Sequence, residues 1–380
     1  MKLYERTIEP AIKARLTETG KVIVLYGPRQ VGKTTLAKKL LADQKSEQGY
    51  FTCDELAVRD ALSSGSSKRM YEFFARAPLI VLDEAQTVPD IGRALKLMID
   101  TYPELHIIAT GSSSFDLANK VSEPLTGRHY MFFLPPISFE EIVRNQSNAE
   151  LITQLNTRLI YGGYPEVLNA SNNDEAQRKL ESLATSYLYR DVLQFGRIKN
   201  AEVLMKILRA LAHQIGGEVS YNEIATAVQV DRKTVMNYID LLEQAFIIFK
   251  LLPFSRNRRD EIKRLRKVYF FDNGIVNALT GNFTSVESGR PMGDLWENLM
   301  MAERWKYNNN HERYKHLYYW RTHQGGEVDL VEEYGGELHP YEFKWSASKA
   351  GRGARAFQET YRTDPVQVVN QGNFVEFVVE

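Results

Sequence analysis

The sequence predicts an α/β chain that opens on a parallel sheet, and three observations carry that prediction. Residues 1 to 136 alternate short apolar runs with helical stretches, the pattern of strands covered on both faces by helices. The apolar run Val22 to Tyr26 leads straight into Gly27-Pro-Arg-Gln-Val-Gly-Lys-Thr34, a complete phosphate-binding loop. A second apolar run from Leu79 ends in the acidic pair Asp83-Glu84.

The residue types in the loop suit triphosphate chemistry. Gly27 and Gly32 let the backbone wrap phosphates with N–H groups pointing inward, where a side chain would block them. The expected nucleotide-binding segment is Gly27, Pro28, Arg29, Gln30, Val31, Gly32, Lys33, Thr34 and Thr35, with a helix continuing to Leu41. Lys33 would supply charge to the β and γ phosphates, and the Thr34 hydroxyl is placed to ligate Mg²⁺. Asp83 is expected to hold the magnesium shell while Glu84 polarises an attacking water, a pairing that favours hydrolysis over phosphate transfer to a small molecule. A third run, Leu105 to Ala109, ends in Thr110-Gly-Ser-Ser-Ser114, which would sit between the loop and the acidic pair, so Thr110 or Ser112 is the expected γ-phosphate sensor. Arg128 has two readings, a cis- or trans-acting arginine that neutralises transition-state charge and a surface arginine before the apolar run Tyr130 to Leu134.

Composition narrows the classes. At 380 residues the chain exceeds one ordinary core, and 48 basic side chains balance 48 acidic ones, so no global field argues for nucleic acid. The single cysteine, Cys53, excludes a disulfide framework and a cysteine-built zinc site. The first residues lack an apolar signal core and no run approaches the roughly eighteen apolar residues of a membrane span, so a cytoplasmic protein is expected.

Beyond Pro135-Pro136, which closes the sheet unit, residues 137–199 read as a helical lid broken by Tyr161-Gly-Gly-Tyr-Pro165. Residues 200–270 read as a winged helix-turn-helix. Leu204, Ile207, Leu208, Leu211 and Ile215 form one apolar stripe ended by Gly216-Gly217. Ser220 opens a second helix, Asp231 caps a third, and 246–252 follows as a wing strand. That motif would present Arg232, Lys233, Thr234 and Asn237 to a DNA groove, yet residues 200–255 hold five basic and six acidic side chains, so a packing or protein-contact role stays open beside DNA reading. The stretch Arg256 to Lys267, seven positive against two negative, is either a phosphate-tracking segment or a solvated loop.

Residues 271–380 hold a second constellation. Asp329 precedes a strand on which Glu342 and Lys344, two apart, share a face, and Glu297 lies on the helix opened by Gly293. Asp329, Glu342 and Glu297 are candidate ligands of a divalent metal, with Lys344 to orient water and steady phosphorane charge; an ion pair of Glu342 with Lys344 is the competing account.

With these motifs the chain resembles, from end to end, prokaryotic AAA-type ATPases that finish in a restriction-endonuclease-like domain. The likeness rests on Gly27 to Thr34, Leu82 to Gln86, Thr110 to Ser113, Leu125 to Arg128, Tyr161 to Pro165, Val268 to Asp272 and Glu342 to Lys344. It implies an AAA-type core over 1–136, adenine as the base, a winged-helix connector and a PD-(D/E)xK nuclease-like domain over 271–380 carrying Asp329, Glu342, Lys344 and Glu297. The expected activity is a Mg²⁺-dependent ATPase coupled to that domain near DNA, with a homo-oligomer as one arrangement. The alternative is an ATP-dependent switch for a protein partner, its nuclease-like fold an inactive scaffold.

Overall fold

Continuous apolar sequence in β1 (Val22–Tyr26) and β3 (Leu79–Asp83) makes sense only if both faces of the sheet are covered, and their aliphatic side chains are 0 to 2% exposed. The computed structural model describes residues 2–74, 77–111, 124–143, 148–194, 200–256, 265–322, 324–346 and 349–379. Ser112, the tip of the Thr110 segment and most of the basic stretch (257–264) lie outside the described residues. The chain forms two compact units, one of Leu3–Pro136 with Gln244–Phe246, the other of Met1–Lys2, Ile137–Glu243 and Ile247–Glu380.

The first unit holds β1, β2 (Tyr50–Thr52), β3, β4 (His106–Gly111) and β5 (His129–Phe133) in the order β2-β3-β4-β1-β5, every pair parallel. Helix Ile91–Thr101 buries Ile91, Ala94, Leu95, Met98 and Ile99, the one-sided spacing of a helix laid on a sheet. Helix Lys33–Asp43 does the same with Leu36, Ala37, Leu40 and Leu41. Because β4 lies between β1 and β3, the carboxyl ends of three neighbouring strands deliver Gly27, Thr110 and Asp83 side by side. Phe246 packs its ring against Tyr26 and Phe133, at centroid distances of 5.5 and 4.4 Å.

In the second unit seven strands form one sheet, β12-β11-β10-β9-β7-β8-β6. They are β6 (Glu218–Val219), β7 (Ile248–Pro253), β8 (Arg266–Phe270), β9 (His316–Arg321), β10 (Glu327–Tyr334), β11 (Glu337–Phe343) and β12 (Gln367–Val369). The segments expected as a lid, a helix-turn-helix and a carboxyl-terminal domain therefore fall in a single unit. The expected wing strand is β7, which pairs antiparallel with β8 and, on its other edge, parallel with β9 through Leu252 opposite Tyr318.

The three helices before β7 follow their sequence signals. Asn200 caps Ala201–Ala212, the Ser220 hydroxyl accepts from the Glu223 N–H ahead of Tyr221–Val228, and the Asp231 carboxylate accepts from Thr234 in Arg232–Gln244. The stripe from Leu204 to Ile215 is buried as expected, although the first helix ends at Ala212, before Gly216 turns the chain at φ 72°.

Two motifs that the sequence leaves without a role form one joint. Gly162 has φ 69°, and a Cβ there would stand 1.9 Å from Asp272 Oδ1. The Gly163 N–H donates to Asp272 Oδ2 at 2.6 Å, while Oδ1 accepts from Gly274 and caps helix Asn273–Thr280. Asn273 and Asn277 donate to the carbonyls of Leu159 and Ile160, so helix Asn148–Tyr161 is fastened to Asn273–Thr280 by buried hydrogen bonds.

Candidate nucleotide-binding site and a second acidic cluster

The loop between β1 and helix Lys33–Asp43 departs from ordinary backbone at three points. Gly27 has φ 149° and a Cβ there would lie 2.3 Å from the Leu134 carbonyl; Gly32 has φ 97°, and Gln30, which is not a glycine, φ 60°. Lys33 is buried, its ammonium donating to the carbonyls of Gly27 at 2.9 Å and Pro28 at 2.7 Å, so the charge is held at the mouth of the loop. Arg29 is half-buried, Val31 buried and Thr35 exposed.

Asp83, 7% exposed at the end of β3, accepts hydrogen bonds from three hydroxyls. Thr34 donates to Oδ2 at 2.9 Å, Tyr50 donates to the same oxygen, and Thr110 donates to Oδ1. Burial and the Asp83 charge push the Tyr50 phenol well above its usual range, keeping it a donor. Thr110 thus stands between loop and acidic strand, but its hydroxyl engages Asp83, which makes it an orienter of that carboxylate in this conformation.

Glu84 follows in left-handed backbone, φ 54°, and its carboxylate accepts from the Gln86 amide. The Asp83 carbonyl accepts from the Cys53 N–H at 2.8 Å, and the Thr87 hydroxyl donates to the Cys53 carbonyl at 3.1 Å. The Cys53 thiol is wholly buried, and burial, with the Asp83 charge beside it, pushes it up to about 12.

The structure does not bring Arg128 to its own phosphate loop. The residue precedes β5, whose first residue pairs with Val22 at the start of β1, so it stands at the amino ends of these strands, opposite the carboxyl ends from which Gly27 leaves. Its Nε is 2.7 Å from Asp100 Oδ1, on the surface. The cis reading is corrected accordingly.

Sequence reading missed Arg6. It is 5% exposed and donates to the Val31 carbonyl at 2.8 Å and the Pro135 carbonyl at 2.6 Å, tying the loop to the chain after β5. No local signal marks a residue so far from the loop in sequence. Tyr50 and Gln86 were missed as well, though Gln86 lies only two residues from Glu84.

In the second unit the expected constellation does assemble. The Phe343 N–H donates to Asp329 Oδ2 at 2.8 Å, and the Lys344 ammonium stands 3.5 Å from Glu342 Oε2 and 3.9 Å from Asp329 Oδ2. A bulge between Val328 and Val331 explains Asp329: both valines enter the same apolar cluster with Phe254, Trp320 and Phe357, and the extra residue re-aims the aspartate. Glu297 comes from helix Gly293–Asn310, its Oε1 accepting from Tyr269 at 2.7 Å.

A further cation is present that the sequence reading placed elsewhere. Lys267, taken there as part of a basic stretch, is 2% exposed, with its ammonium 3.1 Å from Glu297 Oε1 and also paired to Glu327. The alternation Lys267-Val-Tyr269 on β8, which puts both side chains on one face, is the signal that could have revealed it. Burial pushes the Glu297 and Asp329 carboxyls up, and Lys267 opposes that rise at both. Among the described residues no three His, Cys, Asp or Glu side chains are arranged to hold a metal ion, so the expectation of Glu297, Asp329 and Glu342 as a ready ligand set is corrected: ammonium groups already balance those carboxylates.

Residues 19–143 match the model of an AAA domain, residues 152–286 that of a domain of unknown function (DUF8612), and residues 292–378 that of another (DUF4143). The chain is 28% identical over 346 residues to an uncharacterized protein of Mycobacterium tuberculosis, covering 90% of this chain and 74% of that one, and equally to one of Mycobacterium bovis. An uncharacterized protein of Methanocaldococcus jannaschii is 27% identical over 297 residues, 68% of this chain and 62% of that one. Among solved structures it is similar to AMPPCP-bound DnaA from Aquifex aeolicus, with TM-score 0.33 and 18% identity over 61% of this chain and 86% of that one. Among the described residues no helix is long and apolar enough to cross a membrane. The AAA-domain match supports a P-loop ATPase fold for the first unit.

Proposed function

We propose that the chain is a Mg²⁺-dependent ATP-binding and hydrolysing protein. The observation that carries this is the Asp83 carboxylate, held by Thr34 from the phosphate loop and Thr110 from the intervening strand, beside a buried Lys33. The 2.9 Å contact of Thr34 with Asp83 fits a magnesium site, since Mg²⁺ takes a hydroxyl and few carboxylates and draws its remaining ligands from phosphate and water. Thr34 would hold the ion directly and Asp83 its outer shell. When bound, the ion would draw off negative charge between the β and γ phosphates. The loop N–H groups bind and orient the phosphates, Lys33 turns its ammonium from the loop carbonyls to the γ oxygens, and Glu84 accepts the proton of an attacking water once it leaves Gln86.

Steady-state turnover with ATP and Mg²⁺ tests the assignment. Lys33→Ala should weaken nucleotide binding at least tenfold, whereas Glu84→Gln should retain binding and lose turnover by about two to four orders of magnitude. Parental turnover in Glu84→Gln would remove that residue from the reaction.

For the second unit, coupling to a nuclease-like domain near DNA rests on the assembled Asp329, Glu342 and Lys344 and on the exposed Arg232 and Lys233 in the first turn of their helix and Asn237 in the second. The other reading, an ATP-dependent switch for a protein partner with an inactive nuclease-like scaffold, is favoured by the Lys267 ammonium seated on Glu297 and Glu327. ATP turnover measured with and without single- and double-stranded DNA separates them: stimulation supports the first, indifference the second.

A further inference from the structure

Asp83 is gripped from a helix, the edge strand and the middle strand of the first unit, and the grip from the edge strand is the one that triphosphate chemistry alone does not call for. β2 lies at the end of the sheet and pairs with β3, Tyr50 opposite Val81 and Thr52 opposite Asp83. Thr52 is the direct neighbour, yet its hydroxyl accepts from the Asp54 N–H. The acid is served from two residues back. That step along a strand is about 7 Å, a reach that a tyrosine has and a serine or threonine lacks. The Tyr50 phenol donates to Asp83 Oδ2 at 2.5 Å. Its ring is steadied by the Lys38 ammonium, 4.4 Å from the ring centre, on the same helix that carries Thr34.

An ionised carboxylate has about four acceptor positions, two on each oxygen. Thr34 and Tyr50 fill those of Oδ2 and Thr110 takes one on Oδ1, which leaves a single position, on Oδ1. We propose that Tyr50 is a positioning residue for the magnesium site: by closing Oδ2 it turns the remaining Oδ1 position toward the water shell of the ion. The Thr34 hydroxyl, its proton directed at Oδ2, keeps its own lone pairs for the ion. Without the phenol, Oδ2 has an open position and the carboxylate is free to turn about its Cβ–Cγ bond, so the acid meets the shell in several orientations instead of one. This rests on the magnesium and P-loop reading proposed above, and it goes further in giving a residue outside both the loop and the acidic pair control over the strength of ion binding.

Calorimetric titration of the full chain with AMPPNP, once in Mg²⁺ and once in EDTA, separates the contribution of the ion from that of the loop. Tyr50→Phe removes one oxygen and keeps the ring beside Lys38. The parent should bind more tightly in Mg²⁺. Tyr50→Phe should keep the parental affinity in EDTA and lose about tenfold or more of the gain that Mg²⁺ brings. In turnover the same variant should need more Mg²⁺ for half its maximal rate, with the rate at saturating Mg²⁺ close to parental. An undiminished Mg²⁺ gain in Tyr50→Phe would overturn the proposal. So would an equal fall in Mg²⁺ and in EDTA, the mark of a purely structural hydroxyl. If Tyr50→Phe does not fold, judged by circular dichroism, Tyr50→Met, long and without a donor, takes its place; failure of both makes the side chain structural and overturns the assignment as well. A parent that binds AMPPNP equally with and without Mg²⁺ removes the magnesium reading and this proposal together, and a parent that binds none removes the P-loop reading with them.

Discussion

Arg6 acts on the phosphate loop through the geometry of one peptide. A trans peptide points its carbonyl and the following N–H in opposite directions, so the hydrogen bond that pins the Val31 carbonyl to Arg6 turns the Gly32 N–H away from it, into the cradle. The second bond, to Pro135, fixes the guanidinium itself. Arg6→Ala should therefore weaken nucleotide binding by about 1–3 kcal/mol, roughly 5- to 150-fold, with a smaller change in turnover at saturation. Arg6→Lys should recover only part, because an ammonium lacks the planar fork that serves two carbonyls. Nucleotide titration paired with saturating turnover checks this, and an unchanged affinity in Arg6→Ala would show the bond to be incidental. Neither Arg6 nor Tyr50 was legible in the sequence, since each reaches its partner across the fold. Lys33, Thr34 and Asp83 were legible, because loop and strand-end chemistry dictate residue type at fixed spacing.

The Gly162–Asp272 joint belongs to the scale of elements. Left-handed backbone at Gly162 disfavours a side chain by about 1–2 kcal/mol, and the carboxylate 1.9 Å from the would-be Cβ adds a clash that flexibility of one short side chain does not relieve. Gly162→Ala should thus lower unfolding free energy by more than 2 kcal/mol, roughly, as read from denaturant melts. A cost under about 0.5 kcal/mol would mean the joint yields freely. The strands of the first unit were readable because burial on both faces leaves unbroken apolar runs. β10 was harder: its bulge breaks the alternation that sequence reasoning relies on, so Asp329 and Val331 cannot be assigned to faces by counting. The pairing of β7 with β9 was invisible for another reason, since a parallel contact between distant segments leaves no local trace.

At the scale of the whole molecule, zero net charge hides strongly coupled internal pairs. Glu332 is fully buried, bound by both Nε and Nη2 of Arg304 and by Lys315, and these partners hold its carboxyl down at about 2. Its folded value lies below the unfolded one near 4.5, so the stability it contributes is complete above that pH and is lost as pH falls toward 2. The expected loss is on the order of 3 kcal/mol. Melts from pH 6 to pH 2 should show it, and Glu332→Gln should flatten that acid limb; parallel curves for the two proteins would refute the linkage.

The lone thiol next to Asp83 makes the first unit its own reporter. Cys53 follows a three-residue edge strand and stays protonated and covered, so an alkylating reagent can reach it only when that edge opens. Opening would also part Tyr50 from Asp83, the acid proposed to anchor the magnesium shell. Ligand that binds the closed form alone therefore suppresses opening by the factor 1 + [L]/Kd, and alkylation slows in proportion, about a hundredfold at a hundred times Kd. The rate at which one sulfur disappears would thus measure nucleotide affinity without a label, even in a variant that cannot turn over.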